Sequence, residues 1–150
     1  MILRYLEDFE VGQTFTSHSI RIDADRIKSF AAEFDPQPFH LDEKAATDTI
    51  FGGLAASGWH TASITMKLMV ESDLKIAGGF VGTSFEELRW LRPVRPGDVL
   101  RVKSEVLKKR VLNSRPDQGV IKVRNTTLNQ NDEPVQVLVG NLFVLRRSAH

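Results

Sequence analysis

Residues 58–72 constrain this chain more than any other stretch. They carry Trp59, Ala62, Ile64, Met66, Leu68, Met69 and Val70, interrupted by few charges. Laid on a helix, that spacing leaves apolar side chains on most sides, and such a helix persists in water when other elements cover it. It is therefore expected to be the core element, with Met66 and Met69 as packing residues. A chain of 150 residues falls inside the usual size of one domain, so one core is expected around this helix.

The flanks differ in texture. Before the helix, residues 14–22 read as a strand, and Asp23 is placed to cap a helix whose apolar face is Ile27, Phe30 and Ala31. Pro36 ends that helix, because a proline disfavours the helical conformation in the residue before it. The segment Asp35-Pro36-Gln37-Pro38 should then run stiff and extended, with a short second helix over 42–49. After Gly78-Gly79, β-forming residues alternate or cluster over 80–91, 99–112, 120–128 and 135–145. The breaks between them carry turn chemistry, including Pro96-Gly97-Asp98 and Asn129-Gln130-Asn131-Asp132-Glu133-Pro134. Short connections favour antiparallel pairing. The expected architecture is α+β: about five strands in an antiparallel sheet wrapped around the central apolar helix, as one domain over 1–150.

Charge and composition exclude several classes. Twenty basic against nineteen acidic residues give a net charge of +1, so no global field gathers nucleic acid or an anionic membrane surface. No run approaches the roughly 20 apolar residues of a membrane helix. Glu7 and Asp8 interrupt the start too early for a secretory leader, and the chain has no cysteine for a disulfide or thiolate site. A cytoplasmic protein is expected. The phosphate-binding and nucleophile-elbow patterns GxxxxGK[ST], GxGxxG and GxSxG do not occur. Asp35, His40 and Asp42 offer oxygen and nitrogen donors, but a second nearby histidine is missing, so neither a metal nor another cofactor is expected.

The chemistry sits where the first helix stops, in Phe34-Asp35-Pro36-Gln37-Pro38-Phe39-His40-Leu41-Asp42. This stretch resembles the D-x-N-P-x-H signature of the MaoC-like (R)-specific enoyl-CoA hydratases and dehydratases, with Asp35, Pro38 and His40 on the family positions. Gln37 stands where the signature has Asn. Two further blocks resemble the same family: Phe51-Gly52-Gly53-Leu54-Ala55-Ala56-Ser57-Gly58-Trp59-His60-Thr61, leading into the central helix, and Leu91-Arg92-Pro93-Val94-Arg95-Pro96-Gly97-Asp98. The resemblance implies a hot-dog domain and reversible hydration of trans-2-enoyl-CoA to (R)-3-hydroxyacyl-CoA. It also implies a homodimer or dimer-based assembly, with acyl-CoA lying partly along the interface.

The residues themselves suit that reaction. Hydration needs one group to take a proton from water as oxygen attacks Cβ and another to deliver a proton to Cα, and a carboxylate with an imidazole can divide those tasks. Asp35 and His40 are the expected pair. The developing enolate oxygen needs a donor, and backbone N–H groups at a helix N-terminus supply one. Gly58 is the expected donor, the role the family gives that position, and its missing Cβ would let a thioester approach closely. Ser57 beside it is either a substrate contact or the helix cap. His60 reads as packed or supporting, and His18 and His150 as solvent-facing. Lys108, Lys109, Arg110, Arg101, Lys103, Arg115, Lys122 and Arg124 read as a solvated strand face, from which some side chains can meet CoA phosphates. Two other functions fit the fold: a thioesterase activating water against the thioester carbonyl, and a non-catalytic acyl-CoA-binding domain.

Overall fold

The computed structural model describes residues 2–147; His150 lies outside them. A 3-10 turn at Leu6–Asp8 leads to β1 (Thr14–Thr16) and β2 (Ile20–Arg21). The helices α1 (Ala24–Phe34), α2 (Pro38–Leu41), α3 (Glu43–Ala46) and α4 (Gly58–Glu71) follow. Then come β3 (Val81–Trp90), β4 (Val99–Val111), β5 (Gln118–Leu128) and β6 (Pro134–Leu145). The strands form one antiparallel sheet in the order β1-β4-β5-β6-β3, with β2 also paired to β4. This is an α+β hot-dog arrangement, the sheet curling around α4.

The four strands read from the second half lie where the alternation put them. The first strand does not stay whole. Ser17 turns its hydroxyl into the ladder position, accepting from the Val102 N–H at 2.8 Å. The expected strand at 14–22 therefore splits into β1 and β2, giving six strands rather than five among the described residues, and His18 sits in the break with its ring exposed against Glu71. Competition between a serine side chain and the backbone is the physical reason.

Two apolar clusters fill the interior. Ile22, Ile27, Ile64, Leu68, Leu100, Val102 and Val135 join α1 and α4 to the sheet. Leu6, Phe9, Phe15, Leu74, Val106, Ile121 and Val144 form the second, under the N-terminal turn. Phe80 packs against both. The central helix is less enclosed than its composition implies. It buries one face, through His60, Thr61, Ile64, Thr65, Leu68 and Met69, while Trp59, Met66 and Val70 stay exposed. Met69 is packed as expected; Met66 is not a core residue of the single chain.

Candidate active site

Local chain chemistry brings the site together. Asp23 caps α1 by accepting from the Arg26 N–H at 2.8 Å. Its last turn closes at Asp35, whose N–H donates to Ala31 O at 2.9 Å and whose backbone leaves the helix (φ −154°, ψ 66°) ahead of Pro36. Gln37 is extended as expected, but Pro38 then starts a one-turn helix, a position where the missing proline N–H costs nothing. His40 thus rides on α2 rather than on a loop. The expected helix at 42–49 shortens to α3, capped by Asp42 at 2.9 Å from the Lys44 N–H.

His40 is 4% exposed, and its Nδ1 lies 2.6 Å from Ala55 O. A carbonyl accepts only, so Nδ1 carries the hydrogen, and Nε2 is turned to Asp35 Oδ2 at 3.3 Å. That oxygen also accepts from the Ser57 hydroxyl at 2.7 Å, while the Gln37 amide donates to the other. Burial pushes the Asp35 carboxyl up, but the Ser57 and Gln37 donors, followed by His40, together hold it below its ordinary value.

Ser57 has no exposed surface and also caps α4, accepting from the Trp59 N–H at 3.2 Å. One side chain therefore joins the carboxylate to the first turn of the central helix. Gly58 is the first residue of that helix, so its N–H has no carbonyl one turn back to donate to. The lack of a Cβ there also makes room for the Trp90 ring: a Cβ at Gly58 would stand 2.5 Å from it.

Asp35, His40, Gly58, Thr61, Trp59 and Trp90 open onto one cleft of about 290 Å³, completed by Phe51, Ala56 and the 91–94 segment. Arg95 braces its rim by donating to Gly53 O at 3.0 Å, Leu54 O at 3.3 Å and Phe51 O. None of the eight basic residues of the strand face lines the cleft. Arg92 does, paired to Glu133 at 3.2 Å. His60 is buried and does not line the cleft; it stacks on Phe30 with centroids 4.6 Å apart, and burial followed by the Arg26 charge holds its pKa low. Trp90, Arg92 and Arg95 are the site residues that pattern reading passed over. Arg92 and Arg95 lie inside the 91–98 block and Trp90 next to it, but a block of sequence fixes no side-chain direction. Among the described residues, no cluster of three or more His, Asp or Glu is placed to hold a metal ion.

A family model described as "MaoC like domain" matches residues 8–129. The chain is 37% identical over 140 residues to the uncharacterized protein YdeM of Bacillus subtilis, covering 93% of this chain and 96% of that protein. It is 31% identical over 102 residues to a 3-hydroxybutyryl-CoA dehydratase of Methylorubrum extorquens, covering 68% and 63%. Among solved structures, a MaoC-like dehydratase from Rhodospirillum rubrum is 51% identical, with 97% of this chain and 99% of that chain covered at a TM-score of 0.94.

Proposed function

The chain belongs to the MaoC-like dehydratase family, and on that premise we propose that it adds water reversibly to trans-2-enoyl-CoA, forming (R)-3-hydroxyacyl-CoA. The observation that carries this reading is the Asp35 Oδ2 to His40 Nε2 contact of 3.3 Å in a cleft shared with the start of α4. Water held against both groups, at the mouth of their contact, attacks C3. One group accepts its proton, the other delivers a proton to C2, and exchange across the contact restores the starting state. The thioester oxygen, negative as the enolate develops, takes the Gly58 N–H, where the helix dipole adds to the hydrogen bond. Ser57 acts through Asp35, keeping it ionised and aimed, rather than on the substrate.

Incubation with crotonyl-CoA tests this. Loss of the enoyl absorbance without thiol release is the expected result. Thiol release would identify a thioesterase instead, and binding without either change would leave a non-catalytic acyl-CoA-binding domain.

A further inference from the structure

We infer that Trp90 is the floor of the acyl pocket and sets the longest chain the cleft accepts, with Gln136 as the residue that positions it. The inference rests on the acyl-CoA reading of the cleft and adds which substrates that cleft takes.

Trp90 and Gln136 face each other across the β3–β6 ladder, so their side chains leave the sheet on the same side. The indole lies against the first turn of α4, its ring occupying the space a Cβ of residue 58 would need. Its Nε1 donates to Gly58 O at 3.0 Å and to Gln136 Oε1 at 2.9 Å. Gln136 has no exposed surface, and its Nε2 donates to Thr65 Oγ1 at 2.9 Å. Thr65 in turn donates to Thr61 O at 2.9 Å and meets the Thr127 hydroxyl at 2.6 Å. The indole itself is 45% exposed, but from Gln136 inward the chain is buried and each polar group has a partner, which makes the arrangement stiff and costly to open.

The indole is therefore held from behind by the sheet and from the side by the helix, while its free face borders the cleft that Asp35 and His40 share. An acyl group whose thioester oxygen sits at Gly58 would have its carbons in the one cleft that Asp35, His40 and this ring all line. Past the ring lie Gln136, Thr65 and Thr127, a polar and fully buried layer that an alkyl tail cannot enter without breaking hydrogen bonds. Two barriers, the ring and the layer behind it, point to short acyl groups.

The test compares affinities of butyryl-, hexanoyl- and octanoyl-CoA, with CoA alone as the reference, by titration calorimetry. It also compares kcat/KM for crotonyl-CoA and trans-2-octenoyl-CoA. The wild-type protein should favour the four-carbon over the eight-carbon ligand by at least ~10-fold. Trp90→Leu should raise the eight-to-four ratio by at least ~10-fold, whatever it does to the absolute rate. Gln136→Leu should move the ratio the same way, because the unpinned indole can swing aside. A purely structural role would lower every chain length alike, and that result in both variants overturns the inference. So does a wild-type protein that binds octanoyl-CoA as tightly as butyryl-CoA. Should Trp90→Leu fail to fold, Trp90→Phe keeps a ring but loses the Nε1 donor, and an unchanged ratio there is equally fatal. Absence of turnover with every enoyl-CoA would remove the hydratase reading, and the affinity series would still decide whether Trp90 limits the chain.

Discussion

Asp35 and His40, neighbours in the cleft, are held by different means. His40 is fixed by one backbone carbonyl, Asp35 by two side-chain donors. On the proposed hydration, which gives a proton-transfer role to each group, His40→Ala and Asp35→Asn should each lower kcat by about 10² or more with the fold intact by circular dichroism. Near-wild-type turnover in either variant would remove that group from the mechanism. Ser57→Ala tests how the carboxylate is kept charged. Asp35 has its folded-state pKa depressed, so its stabilising contribution is present above its ordinary value of 3.8 and is lost as pH falls through the folded value. Removing the Ser57 donor should therefore cost about 1–2 kcal/mol near neutral pH. The gap to wild type should narrow in acid, as denaturant titrations across pH would show; a pH-independent gap would mean the capping bond to Trp59 carries the whole effect. The sequence displayed Asp35 and His40 because their five-residue spacing is a local property. The Ser57 bond to Asp35 spans 22 residues, and no local pattern encodes it.

At the scale of elements, α4 shows where composition and burial part. Its apolar residues marked it as central, yet the sheet covers one side, because polar His60, Thr61 and Thr65 share the inward face while Trp59, Met66 and Val70 face out. Strands β3 to β6 were legible from alternation, a property each strand shows by itself. The split between β1 and β2 depends on Ser17 meeting Val102, a distant partner. The first turn of α4 is tight: Gly58→Ala places a Cβ 2.5 Å from the Trp90 ring and should destabilise by about 1–3 kcal/mol. Gly58→Ala with Trp90→Leu should recover part of that loss, and strict additivity in the double-mutant cycle would show that the ring is not what excludes the methyl. His60, in the same turn, supplies a pH readout. Its Nδ1 is buried without a hydrogen-bond partner among the described residues, and its pKa is held below 6.5. The folded state then binds fewer protons than the unfolded one, so its contribution is whole above pH 6.5 and declines as pH falls toward the folded value. His60→Phe, which keeps a ring on Phe30, should flatten this acid-side loss of stability; an unchanged slope would assign it to other groups.

At the scale of the whole molecule, what remains uncovered is itself informative. Among the described residues, β3 closes the sheet order and offers a free edge, and most of its residues are exposed on both faces, Val81, Phe85 and Trp90 among them. The opposite edge is protected differently, by strands of three and two residues. A ten-residue edge carrying large apolar side chains invites pairing with another chain. A second copy meets that need by symmetry: antiparallel β3 against β3 about a two-fold axis continues the sheet. It also sets the Trp90 end of one strand beside the Val81 end of the other. Trp90, on β3, also lines the cleft, so pairing should shape the cleft as well. Sedimentation at micromolar concentration should therefore find a dimer or a dimer-based assembly, with the β3 amides slow to exchange. Phe85→Asp, which puts a charge on that edge away from Asp35 and His40, should shift the protein toward monomer and lower turnover of crotonyl-CoA together. A wild-type monomer with full activity would refute the pairing, and a monomeric Phe85→Asp protein with undiminished turnover would separate assembly from catalysis.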